Sequence, residues 1–223
     1  MANPHAGPDQ PPPAATRRRG APGILAAAAA LFAERGYAGV PVSAIAARAG
    51  VSKANIFHHF KTKDRLYLAV LRQACAASSQ ILHDGMRGTD PFAERLRHAA
   101  RGYLHHLLEQ EDLSRLILRE VMEGGSRRAQ ELAEQVFDEN FSGLVQMLRE
   151  GQQSGALRAD TDPAMAAVLL LGANVFFFLA RGVLIHLKDA RFATDPTRYS
   201  ELLIDYLLNG ITAPAAAGPA PRN

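Results

Sequence analysis

From Ile24 to Leu207 apolar residues recur at helical spacing, three or four apart, almost everywhere, and no run alternates with polar residues. That spacing lines one face of a helix and cannot line one face of a strand. Ile24, Leu25, Ala28, Leu31 and Phe32 form a first stripe, ended at Gly36. Val42, Ile45, Ala46 and Ala49 form a short second one, stopped by Gly50, and Ser52 is placed to cap a third helix over 53–59. Leu66, Tyr67, Val70, Leu71 and Ala74 line a fourth, from about 63 to 83. The loop cluster "DGMRGTDP", 84–91, is a candidate domain boundary. Beyond it, stripes begin at Phe92, at Leu113 and at Leu132, the last on a helix from about 127 to 152, and residues 163–187 and 196–210 follow. These make nine helices. Ala and Leu dominate and β-branched residues are sparse, which favours helix as well. The expected fold class is all-α.

The second and third helices are too short to be stable alone and are joined by "AGVS". Gly50 suits the tight turn and Val51 pins the two helices together, which is the helix-turn-helix pattern. The third helix then presents Ser52, Lys53, Ala54 and Asn55 at its start. Small residues allow close approach, its N–H groups and dipole favour phosphate, and Asn can pair with adenine. Charge divides in the same sense. Residues 17–72 carry ten basic residues against two acidic ones, a net of +8, and the rest of the chain has a net of −5. One end is built to approach a polyanion.

The stretch "ILAAAAALFAERGYAGVPVSAIAARAGVSKANIFHHFKTKDRLYLAVL", 24–71, resembles the DNA-binding domain of the TetR (tetracycline-repressor) family of bacterial regulators. The shared marks are "LFAERGY", "V-x-x-IA-x-x-AGVSK" and "HHF-x-x-K". The resemblance implies a three-helix DNA-binding domain, a connecting helix, and a larger C-terminal helical bundle that binds a small molecule and dimerises. On that basis the expected organisation is an Arg-bearing disordered arm at 1–21 and a helix-turn-helix domain at 22–62. A connecting, ligand-binding and dimerisation domain follows at 63–212, with a disordered tail at 213–223. The DNA contacts carried over by position are Ser52, Lys53, Ala54, Asn55, Phe57, His58, His59 and Lys63. Four features depart from the family pattern: Val40-Pro41 where a hydroxyl usually starts the second helix, Ala54 for a common Gly, Phe57 for the usual Tyr, and a first helix starting near Pro22. The last leaves Arg17, Arg18 and Arg19 on an arm that is expected to reach phosphates or the minor groove.

His58 and His59 are adjacent, about 100° apart on a helix, whereas helical metal sites want i, i+4 spacing. They read as DNA contacts. No nucleophile–base pair, phosphate loop or Cys/His cluster is present, so neither an enzyme, a metal nor a cofactor is expected. Cys75 is the only cysteine, which excludes an intrachain disulfide and fits a cytoplasmic protein.

Polar and aromatic groups inside the later stripes are candidates for a ligand pocket: Arg101, His105, Arg119, Phe137, Asn140, Asn174 and Phe178. His98, Arg101 and His105 share a face and read as a solvated basic stripe. The run 164–180, "AMAAVLLLGANVFFFLA", falls short of the ~20 residues of a membrane span and is closed by Arg181. It reads as a bundle or interface helix, and residues 163–210 are the expected homodimer surface. The whole describes a homodimeric regulator bound to a palindromic double-stranded DNA operator, a repressor released by a small-molecule effector. The alternative is a DNA-binding regulator controlled by a protein partner or lacking an effector.

Overall fold

Pro22 opens the first helix, α1 (Ala21–Arg35), in the computed structural model, which describes residues 20–211. A first-turn N–H has no intrahelical partner, so a proline there sacrifices nothing. Gly36, at φ 69°, ends α1, and its N–H donates to the Phe32 carbonyl. The second helix, α2 (Val42–Ala49), follows Pro41 without a side-chain cap. Gly50 closes it in the left-handed region at φ 66°, with the Gly50 and Val51 N–H groups returning to the Ala47 and Ala46 carbonyls. Ser52 caps α3 (Lys53–Phe60), its Oγ accepting from the Asn55 N–H at 3.1 Å. The next helix, α4 (Lys63–Gly85), has a cap of the same kind, Thr62 Oγ1 accepting from the Arg65 N–H.

The chain forms two compact units, divided between Leu71 and Arg72, inside α4. In the first, Ile24, Phe32, Val40, Ile45, Ile56, Leu66 and Tyr67 are essentially inaccessible to water. Phe32, Tyr37 and Tyr67 form a three-ring cluster, with the Phe32 and Tyr67 rings edge to face at 5.0 Å between centroids. The first turns of α4 therefore belong to this unit, where the expectation had assigned all of α4 to the second. The third helix buries one side chain, Ile56, and is held in place by its neighbours.

The second unit holds the rest of α4, then α5 (Phe92–Glu109) and α6 (Glu111–Glu123). Gly125–Leu132, a π-helical turn Ala133–Phe137 and Asp138–Gln153 run on without a break and make up α7, residues 125–153. Then come α8 (Pro163–Leu184), a 3₁₀ turn Arg191–Thr194 and α9 (Pro196–Ile211). Nine helices and no strand are present among the described residues, as the periodicity predicts. Asp162 caps α8 and Asp195 caps α9, each Oδ1 accepting from two backbone N–H groups. The core is Leu-rich: Leu82, Leu96, Leu107, Leu144, Leu148, Leu170 and Leu208 surround Ala99, Ala100 and Phe178. A satellite cluster holds Leu104 and Phe177, and Tyr199 stacks on Phe177 at 3.9 Å.

The π turn was not expected. It releases backbone carbonyls from the α-helical ladder, and side chains take them up. The Arg72 guanidinium Nε donates to the Gln135 carbonyl, and Asn140 Nδ2 donates to the Val136 carbonyl at 3.1 Å. Helix α8 corrects a second expectation. It runs for 22 residues, and by length and composition is apolar enough to cross a membrane, the one such helix among the described residues. It extends beyond the 164–180 run because the capped Pro163 turn precedes it and Arg181 does not stop it. Ala166, Ala167, Leu170, Phe177 and Phe178 on one face are buried in the unit's core.

Candidate nucleic-acid interface and ligand cavity

The outer surface of α3 is almost wholly available. Ser52, Lys53, Ala54, Phe57, His58 and His59 are exposed, with Phe57 presenting its ring to solvent at 41% of its area. Ser52 Oγ accepts from Asn55, which leaves its hydroxyl proton to donate outward. The Lys53 and Ala54 N–H groups sit at the first turn, where no intrahelical acceptor exists. Small, donor-rich and positively charged, this turn suits a phosphate. His58 and His59 both reach solvent, their rings edge to face at 5.3 Å. Asn55 is half-buried, and its Oδ1 is out of water without a hydrogen-bond partner. A side-chain rotation that brought this oxygen to a base edge would relieve that cost.

Lys63 stands apart from the other residues proposed to contact DNA. Its Nζ donates to the Tyr37 carbonyl at 2.6 Å and lies 4.3 Å from the centre of the Tyr37 ring. Loss of solvent lowers its pKa from the usual lysine value. It ties the start of α4 to the chain after α1. Lys61, which flanks it, is exposed and is the one non-glycine residue with positive φ among the described residues, at φ 63° and ψ −48°. The Thr62 N–H reaches the Phe60 carbonyl at 2.7 Å across it, which makes Lys61 the centre of a strained γ-turn. A side chain kept where glycine would be at ease points to a use for that side chain. Lys61→Gly should hold or raise the melting temperature while weakening DNA binding, whereas Lys61→Ala should weaken binding without the gain. Equal DNA binding by all three proteins would leave the strain without that explanation.

Arg17, Arg18 and Arg19 lie outside the described residues. Of the basic groups elsewhere in the head, Arg48 is taken up by Glu34 at 2.9 Å.

In the second unit a half-open cavity of about 300 Å³ lies among α4, α5, α6, α7 and α8. Its walls are mostly apolar, including Leu82, Leu113, Ile117, Leu171 and Val175. Among the expected pocket residues, Phe137 and Asn140 line it. The other five do not. Arg101 and His105 are exposed at a separate surface cleft, His105 paired with Glu109 at 3.0 Å, because their face of α5 turns to solvent. Arg119 is exposed. Asn174 is fully buried, donating to the Leu170 carbonyl, and Phe178 is packed into the core. Cys75, Ser78, Ser79, Tyr103, His106, Gln110 and Ser114 line the cavity as well. The available signal was small side chains, Ala74 and Ser78 one turn apart and Ser114, inside apolar stripes. Ser78 and Ser114 satisfy themselves on backbone carbonyls, so they leave volume without leaving unpaired groups. Among the described residues no group of three or more His, Cys, Asp or Glu side chains is arranged to hold a metal ion.

Residues 24–70 match the model for bacterial regulatory proteins of the tetR family, and residues 93–203 match that for the tetracyclin repressor-like C-terminal domain. The chain belongs to the TetR family. It is a DNA-binding transcriptional regulator, as the helix-turn-helix head requires. Within this family, the HTH-type transcriptional activator FasR of Mycolicibacterium smegmatis is 35% identical over 94 residues, 42% of this chain. That stretch is 43% of FasR, so the chain matches under half of that relative's length. Among solved structures, SmeT, the repressor of the Stenotrophomonas maltophilia multidrug efflux pump SmeDEF, is 25% identical with a TM-score of 0.62, over 90% of this chain and 94% of SmeT. FadR from Bacillus subtilis, solved in complex with stearoyl-CoA, shares the fold at 21% identity and a TM-score of 0.68, over 84% of this chain and 97% of FadR. The TetR fold thus spans both units.

Proposed function

We propose that this TetR-family regulator acts in the cytoplasm as a homodimeric repressor that leaves a palindromic operator when a small molecule enters the cavity of the second unit. The observation that carries this reading is that one helix serves both ends. The first turns of α4 are part of the DNA-reading head, and Ala74, Cys75, Ser78, Ser79 and Leu82 further along it wall the cavity. A ligand that displaces the later turns of α4 acts on a helix whose first turns, through Leu66 and Tyr67, are packed into the core of the head. Ligand and operator then oppose each other through one coupling free energy. The cavity favours this over a regulator without an effector, for which a solid core would be expected. SmeT, itself a repressor, supports the sign of the response.

Dimerisation is supported by the face of α8 turned away from the core. Met165, Leu169, Gly172, Phe176, Leu179 and Val183 follow one another at alternating intervals of four and three, and all are exposed. That is the seam of a helix meeting another helix. Tyr206 on α9, within the same span 163–210, is 75% exposed. Two heads on one dimer would read half-sites about 10 base pairs apart or a multiple of that.

Selection of bound duplexes from a random pool tests the reading: an inverted repeat is expected, and a selected sequence without two-fold symmetry would refute it. On the selected operator, Lys53→Ala should weaken binding and lower the slope of log affinity against log salt by about one per lost phosphate contact in each head. Its thermal stability should not change. Lys63→Ala should act differently, lowering the melting temperature of the protein as well, because it unties α4 from Tyr37. Identical behaviour of the two variants would show that the Tyr37 bond does not distinguish them.

A further inference from the structure

We infer that the cavity takes an uncharged, largely apolar small molecule whose single hydrogen-bonding group lies along a polar strip on α5. This rests on the reading of the cavity as the effector site and says what that site accepts. Among the described residues no Asp, Glu, Lys or Arg side chain lines the cavity. An ion entering it would give up its hydration and meet no opposite charge, which is the costly way to bury a charge.

The polar groups that are present follow a pattern. Tyr103, His106 and Gln110 stand at i, i+3 and i+7, one face of α5 and its end, and all three line the cavity. Tyr103 is buried, His106 is half-buried and Gln110 is exposed, so the strip climbs from the floor towards the mouth. None of the three makes a side-chain hydrogen bond within the described protein, whereas Ser78, Ser114 and Asn140 each spend a donor on a backbone carbonyl. These three share one wall; Ser79 on α4 is a further hydroxyl without a side-chain hydrogen bond within the described protein, and the remaining lining is mostly apolar. Burial keeps the lining neutral as well: it pushes the Cys75 thiol up to about 12, raises the Tyr103 hydroxyl, and lowers His106 below the usual imidazole range against an opposing pull from Glu109. A neutral lining able both to donate and to accept fits an alcohol, ketone, ester or amide on a hydrocarbon frame.

Three probes of equal length and different charge test this on the full chain: 1-octanol, octanoate and octylammonium, titrated calorimetrically at pH 7.5. The alcohol should bind at least ~10-fold more tightly than either ion. Octanoate or octylammonium binding as tightly as the alcohol overturns the inference about charge. Of Tyr103→Phe, His106→Phe and Gln110→Leu, at least one should weaken 1-octanol about five-fold, the effect of one lost hydrogen bond. If none does, the polar strip is not what holds the group. Ser79→Phe and Val175→Phe, each checked for folding by operator binding, fill the cavity and should abolish binding of the alcohol. Should 1-octanol bind equally well to both, or should no probe bind the parent protein, the effector-site reading itself fails and this inference with it. A reversed ranking that the filled variants still abolish sinks only the inference about charge.

Discussion

A chain carrying Leu169→Asp together with Phe176→Asp will sediment as a monomer and bind the operator at least ~100-fold more weakly than the parent. Both residues lie on the exposed seam of α8, Leu169 at 46% and Phe176 at 63% of their full area. In a monomer the substitutions face water, where surface changes alter stability by about 0.5 kcal/mol or less. In a dimer each copy would bring two carboxylates against the same two on its partner, because a two-fold interface sets a patch against itself. Like charges without partners in an apolar contact are strongly unfavourable. The effect on DNA follows from the head. Helix α3 is eight residues long and reaches only a few base pairs, so operator affinity is expected to depend on two heads acting together. Analytical ultracentrifugation and operator titration check the two halves separately. A double variant that stays dimeric would move the interface off α8. A monomer that keeps full operator affinity would show that the heads do not depend on the interface.

The fold was legible in the sequence where one short segment decides the outcome. Gly36 and Gly50 stop helices because each must take positive φ, and Ser52 caps α3 through a bond three residues away. Apolar stripes placed all nine helices to within a few residues. What could not be read depends on partners far along the chain. The π turn is matched to Arg72, 63 residues before the carbonyl it takes up. In the sequence Lys63 resembles Lys53 and Lys61, and what sets it apart is Tyr37, 26 residues earlier. The cavity had the same difficulty. Polar and aromatic residues in apolar stripes are the natural pocket candidates, yet Arg101, His105 and Arg119 turn outward while Asn174 and Phe178 are buried in the core. Empty volume comes from side chains that are small, and smallness at Ala74, Ser78 and Ser114 says nothing alone about whether neighbours close over it.

Gly85→Ala will destabilise the second unit by about 3 kcal/mol, one methyl group notwithstanding. Gly85 is the last residue of α4, and a Cβ built on it would stand 2.5 Å from Ala99 Cα and 2.7 Å from Ala99 N. Those are backbone atoms of α5, and no rotamer change can move them aside. The two helices must separate, and Leu82, Leu96 and Ala99 nearby are part of the packed core. For a chain of this size the expected fall in melting temperature is roughly 6–12 °C. Gly143→Ala is the control: it sits on α7 with nothing within 4 Å of the added carbon. It should be neutral or stabilising by up to ~1 kcal/mol through helix propensity. If the two alanines behave alike, the close approach of α4 to α5 is not a constraint. Ala99 lies one turn before Tyr103, so forcing α5 away at Gly85 also displaces the polar strip from the cavity. A Gly85→Ala protein that still folds should therefore bind 1-octanol less tightly, even though Gly85 is not among the residues lining the cavity.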